Sequence, residues 1–102
     1  MKGMVNMKNV EIKKMLQGAV KYADEYTIKV WAWQDSEATW AEVIAMVDGE
    51  WDCDNCHTFT YYETAEPSEE QMKEMRKEMK KIATYLKKHF ENVELENEIQ
   101  WV

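Results

Sequence analysis

Cys53-Asp54-Asn55-Cys56-His57 is the one string in the chain whose residue types and spacing could do sharp chemistry. Formally it is C-x-x-C-H, in which two thiols bond the vinyl groups of a haem and the histidine binds its iron. That attachment follows export, and Met1 to Val20 carries lysines without the continuous apolar core of a secretory signal. The pentapeptide also falls between strand patterns and does not open a helix. The same cysteines have the C-x₂-C spacing of half a zinc site, which His57 and His89 could complete. However, His57 directly follows Cys56, which makes joint tetrahedral ligation awkward, and the second C-x₂-C pair of a strong zinc signature is missing. A thioredoxin-like role needs the motif at a helix N-terminus beside a parallel strand, and no βαβ unit precedes it. The reading is two reduced thiols near a turn and no cofactor, with a zinc or thiol module on Cys53, Cys56, His57 and His89 as the alternative.

Other chemistry finds little to stand on. The sequence contains no G-x-S-x-G, no Gly-rich phosphate loop and no H-E-x-x-H. Carboxylates are plentiful, but no pattern marks one as buried beside another, so no general acid/base pair can be argued. The expectation is a protein that is not an enzyme.

Charge is the second signal. Residues 24–56 carry nine acids (Asp24, Glu25, Asp35, Glu37, Glu42, Asp48, Glu50, Asp52 and Asp54) against the single base Lys29. Trp31, Trp33, Trp40 and Trp51, four of the five tryptophans, lie in the same window. The total of −7 divides into +4 over residues 1–23, −8 over 24–56 and −3 over 57–102. A negative field repels nucleic acid and membrane headgroups and attracts basic protein surfaces.

The elements that must position these residues follow from periodicity. Ile12, Met15, Leu16, Ala19, Val20 and Ala23 make one apolar face, predicting a helix from about Asn9, its cap, to Ala23. Met1 to Lys8 reads as a loose leader. Tyr26, Ile28, Val30 and Ala32 then alternate with Thr27, Lys29, Trp31 and Trp33, a strand whose two faces are both apolar enough to be core. Ile28 and Val30 are the better core candidates, which leaves Trp31 and Trp33 opposite. Asp35-Ser36-Glu37 is a polar turn, and Trp40 to Val47 a second strand. Asp48-Gly49 is the strongest hairpin signal in the chain. Trp51 begins the return, Asp52 to Asn55 interrupts it as a loop or bulge, and His57 to Glu63 is strand again. Ser68-Glu69-Glu70-Gln71 is a capping box. It opens a helix along Met72, Met75, Met79, Ile82, Leu86 and Phe90, a seam read as core rather than as a binding face. Val93 to Val102 alternates as a final strand, placed either in the sheet or across a dimer.

The fold expected is α+β: a two-layer domain over residues 1–102, with a three- to four-stranded antiparallel sheet and two helices in the order α-β-β-β-α-β. Double-stranded RNA-binding domains share part of this order, but their basic loop has no counterpart here, so direct nucleic-acid binding is not expected. No apolar run approaches the roughly 20 residues that span a bilayer, so no membrane partner is expected. With no secretory signal, a cytoplasmic location is expected, that of the host if the chain is phage-encoded.

In its layout over roughly residues 9–90 the chain resembles the small anti-CRISPR proteins of phages and prophages that block an RNA-guided nuclease. The matching features are Tyr26-Thr27-Ile28-Lys29-Val30, the hairpin Val47-Asp48-Gly49-Glu50 and the surplus of Asp and Glu. The resemblance implies an inhibitor whose acidic side chains occupy a basic groove meant for DNA. Independently of it, the residues point to a small inhibitor or adaptor that docks on a basic protein surface, including one that holds nucleic acid. Asp35, Glu37, Asp48, Glu50, Asp52 and Asp54 would supply charge, concentrated at the turns. Trp31, Trp33 and Trp51 would supply apolar anchors. The remaining alternative is a structural subunit whose C-terminal strand pairs across a homodimer.

Overall fold

The computed structural model describes residues 7–102. It contains α1 (Met7–Val20), β1 (Tyr26–Gln34), β2 (Thr39–Val47), β3 (Glu50–Tyr62), α2 (Glu69–Lys87), β4 (Val93–Leu95) and β5 (Gln100–Trp101). The α+β class and the helix-strand-strand-strand-helix-strand order are as the periodicities imply. The leader expected at Met1–Lys8 lies outside the described residues as far as position 6; Met7 and Lys8 already belong to α1. Asn9 is thus inside the helix rather than its cap, and the helix ends at Val20, three residues short of the expected end.

The sheet is mixed rather than antiparallel. β2 pairs antiparallel with both β1 and β3, in register from Tyr26 opposite Val47 to Gln34 opposite Thr39 on the β1 side. β4 and β5 both pair with the other edge of β1, and both run parallel to it. The cause is α2, which carries the chain from β3 back across the sheet to the far side of β1, so the chain arrives in β1's own direction. The final segment therefore pairs within its own chain. It does so as two short strands, because Glu96–Ile99 leaves the ladder between them.

The core lies on one face of the sheet. Ile28, Val30 and Ala32 of β1 and Ala41, Val43 and Ala45 of β2 are essentially inaccessible. Above them sit Ile12 and Leu16 of α1 and Met75, Met79, Ile82, Ala83 and Leu86 of α2, with Phe90 beyond its end. α1 lies over β2 and β3, and α2 over β1 and β4. The three strand alanines leave room for the bulkier helix side chains. Each large side chain so buried stabilises the fold by about 1.5–3 kcal/mol. The methionine seam of α2 is accordingly core. Its N-terminus carries the expected box: Ser68 Oγ accepts from Gln71 N at 3.1 Å, and Gln71 Oε1 accepts from Ser68 N at 2.9 Å. No described helix is long and apolar enough to cross a membrane.

Candidate functional site

The opposite face of the sheet is not covered by either helix, and the tryptophans stand on it. Since β1 and β2 alternate, Lys29, Trp31 and Trp33 project there together with Trp40, Glu42, Ile44 and Met46. Trp33 stacks on Trp40, its direct cross-strand partner, with ring centroids 4.2 Å apart. Trp40 in turn meets Tyr61 of β3 at 5.7 Å. Trp51 reaches from the edge strand across β2 to lie parallel to Trp31 at 5.8 Å. Trp31 Nε1 donates to Glu42 Oε1 at 3.1 Å. Trp31, Trp33 and Trp40 are half-buried in this arrangement, and Trp51 is 41% exposed. They are therefore neither core nor free solvent-facing rings.

Between them is a concavity of about 260 Å³ lined by Trp31, Trp33, Glu42, Ile44 and Trp51, together with Cys53 and Val102. A roomier hollow of about 390 Å³ opens at the start of α2, lined by Pro67, Glu69, Met72, Lys73 and Arg76. It has charges of both signs and no aromatic wall, so the smaller, aromatic hollow is the better candidate for recognition.

Charge separates by layer. The two helices carry nine basic and five acidic side chains, and the rest of the chain four and fifteen. On the open face Lys29 is held by Glu96 at 3.2 Å and Glu94 at 3.4 Å, and its ammonium lies 5.9 Å from the Trp51 ring centroid. The Glu96 hydrogen bond is the main reason the Lys29 pKa is raised, burial opposing it.

The six acids expected at the turns fall at opposite ends of the sheet. Asp35 and Glu37 sit at one end and Asp48 and Glu50 at the other, separated by the nine-residue length of β2, about 26 Å. Three of them already accept hydrogen bonds from within the chain, two from backbone amides and one from a side chain. Asp35 Oδ1 accepts from the amides of Glu37 and Ala38, closing the β1–β2 turn. Asp48 Oδ1 accepts from the amides of Asp24 and Glu25. Asp52 Oδ2 accepts from Asn55 Nδ2. Glu37, Glu50 and Asp54 are exposed. What the fold brings together is the aromatic face between these ends, and Trp40, Glu42, Ile44 and Tyr61 belong to it although the sequence reasoning left them out. For Trp40, Glu42 and Ile44 the signal is the parity of β2, which sets them on one side with Met46; Tyr61 stands on β3 opposite Trp40.

The C-x-x-C-H string is split by the same alternation. The ladder slips between Ile44/Cys56 and Met46/Trp51, so residues 52–55 form a bulge on β3. Cys56 pairs with Ile44 on the open face, whereas His57 pairs with buried Val43 on the helix face. Cys56 Sγ donates to the Cys53 carbonyl at 3.4 Å. Burial, then the charges of Glu42, Cys53, Asp52 and Asp54, push the Cys56 thiol pKa up. His89 lies past the end of α2, against Tyr85. Among the described residues these four do not converge, and no group of three metal-binding side chains forms.

Comparison of the chain with family models, curated proteins and solved structures found no significant match.

Proposed function

We propose that the protein is a binding protein, an inhibitor or adaptor, whose helix-free sheet face docks on a basic protein surface. The observation that carries this reading is the set of Trp31, Trp33, Trp40, Trp51 and Tyr61 on one open face, the first three half-buried and the last two exposed, with its four tryptophans inside the acidic window. Aromatic side chains give large contact area at low entropic cost and dominate interface hot spots. The surrounding carboxylates add attraction to a cationic partner and speed its encounter. The acids at the two ends of the sheet flank that face. The resemblance to anti-CRISPR proteins narrows the reading further, to a basic surface that otherwise holds nucleic acid. In that version the acidic face stands in for the phosphate backbone.

The test is capture of basic proteins on the immobilised chain at low and at high salt. The wild type is compared with Trp31→Ala and with the double variant Glu50→Lys, Asp54→Lys. A partner retained at low salt, released at high salt and lost with both variants supports the proposal. Capture indifferent to salt and to the variants, or no basic partner at all, overturns it.

A further inference from the structure

We infer that the concavity beside the Trp31–Trp51 stack, lined by both rings with Trp33, Glu42 and Ile44, is a receptacle for a single arginine side chain of the partner, with Glu42 as its counter-ion. This rests on the binding reading above and specifies its chemistry. The face already holds one cation of its own: the Lys29 ammonium lies beside the Trp51 ring and is bonded to Glu96 and Glu94. Aromatic surface plus carboxylate is thus the way this sheet holds positive charge. The concavity repeats those parts one step along the face. Trp31, Trp33 and Trp51 supply indole surface, Ile44 an apolar patch, and Glu42 a carboxylate. Among the described residues no basic side chain pairs with Glu42, whose Oε1 accepts a hydrogen bond from the Trp31 indole N–H and whose other lone pairs remain for further donors. Lys29 with its two glutamates leaves one net negative charge beside that of Glu42, so the local field favours a second cation.

Arginine fits this surface better than lysine. A guanidinium is flat, stacks on indole, is weakly hydrated and presents forked donors to a carboxylate. An ammonium is a compact, strongly hydrated charge that loses more on entering a mainly apolar hollow.

The experiment follows the five indole N–H resonances by NMR while the chain is titrated with acetyl-(Gly-Arg)₄-amide, its lysine counterpart and its citrulline counterpart. The expected result is that the arginine peptide shifts the Trp31 and Trp51 signals and the isosteric, neutral citrulline peptide does not. The lysine peptide binds several-fold more weakly. Glu42→Gln keeps an acceptor for the Trp31 indole and so keeps the face intact, but weakens arginine binding about tenfold or more, as loss of a charge-assisted hydrogen bond does. Equal, salt-sensitive affinity for the arginine and lysine peptides overturns the receptacle and leaves docking on a basic surface standing. An unchanged arginine affinity in Glu42→Gln also overturns it. No shift at any indole with any peptide overturns it as well, and salt-sensitive capture of a whole basic protein then judges the broader reading separately.

Discussion

Trp51 lies parallel to Trp31, planes 7° apart and ring centroids 5.8 Å apart, although one stands on β3 and the other on β1 with β2 between them. The stack spans the sheet on its open side and ties an edge strand to a central one. Such pairs contribute about 0.5–1.5 kcal/mol beyond their buried area. A double-mutant cycle with Trp31→Ala and Trp51→Ala should therefore give a coupling energy of about that size in urea unfolding. Strictly additive losses would mean that the two rings merely lie near each other.

The open face was half legible beforehand. Both sides of β1 are apolar, Ile28 and Val30 against Trp31 and Trp33, so alternation alone cannot name the core side. The deciding signal is residue size. Ala32, Ala41 and Ala45 share a face with Ile28, Val30 and Val43, and small side chains there let helices approach; a face crowded with Trp31, Trp33 and Trp40 does not. α2 was readable because a capping box and a 3.6-residue period agree. The parallel pairing of β4 and β5 was not, because Val93 to Val102 alternates identically whichever way its partner runs. The division of the acids between two ends of the sheet was hidden for another reason. Residues 35 and 48 are near in sequence but separated by a whole strand.

The Lys29 contacts make a second prediction. Glu94 stands in β4 directly opposite Lys29 and Glu96 follows that strand; both carboxylates reach the Lys29 ammonium, while the Glu96 amide bonds the Val30 carbonyl. Lys29→Met should loosen the C-terminal segment more than it lowers global stability. A partly exposed ion pair contributes about 0–1 kcal/mol. Amide hydrogen exchange at Glu96 should accelerate, while that of α2 core amides such as Ile82 follows only the small global change. Equal acceleration at both places would show that the segment is not separately pinned.

His57 provides a pH dependence. It faces α1 from β3, and its Nε2 is buried with no partner among the described residues. Burial, then the Lys8 charge, lowers its pKa in the folded state, with Glu11 opposing. As the pH falls below the unfolded value of about 6.5, the unfolded chain takes up the proton first. The stability associated with neutral His57 is complete above that pH and declines beneath it. Urea midpoints should fall between about pH 7 and pH 5.5, and the fall should be smaller in His57→Phe, which does not titrate. Identical slopes for the two proteins would remove His57 as the cause.

The two thiols should differ in reactivity. Cys53 is exposed on the bulge; Cys56 is half-buried, hydrogen-bonded to the Cys53 carbonyl, and its pKa is raised by burial and by the surrounding acids. The thiolate is the reactive form. A short maleimide pulse near neutral pH, read by peptide mass spectrometry, should label Cys53 about tenfold faster than Cys56. Faster labelling of Cys56 would contradict both its burial and the negative field acting on it.

The hairpin between β2 and β3 separates charge from architecture. Asp48 has φ 49° and Gly49 φ 87°, the left-handed pair that a tight turn of this type requires. A Cβ on Gly49 would meet no atom within 4 Å, so Gly49→Ala should cost about 1 kcal/mol through the backbone alone. Asp48 does more, because its Oδ1 accepts from the amides of Asp24 and Glu25, holding the entry to β1 against the turn. Asp48→Ala loses both bonds and should cost about 1–2 kcal/mol in urea unfolding. Asn tolerates the same backbone conformation and offers the same carbonyl oxygen, so Asp48→Asn should cost under about 0.5 kcal/mol while removing the charge. If Asp48→Asn unfolds as readily as Asp48→Ala, the carboxylate charge holds the turn. If Asp48→Asn is stable, any loss of affinity for a basic partner in that variant measures the electrostatic contribution of this end of the sheet, free of a folding defect.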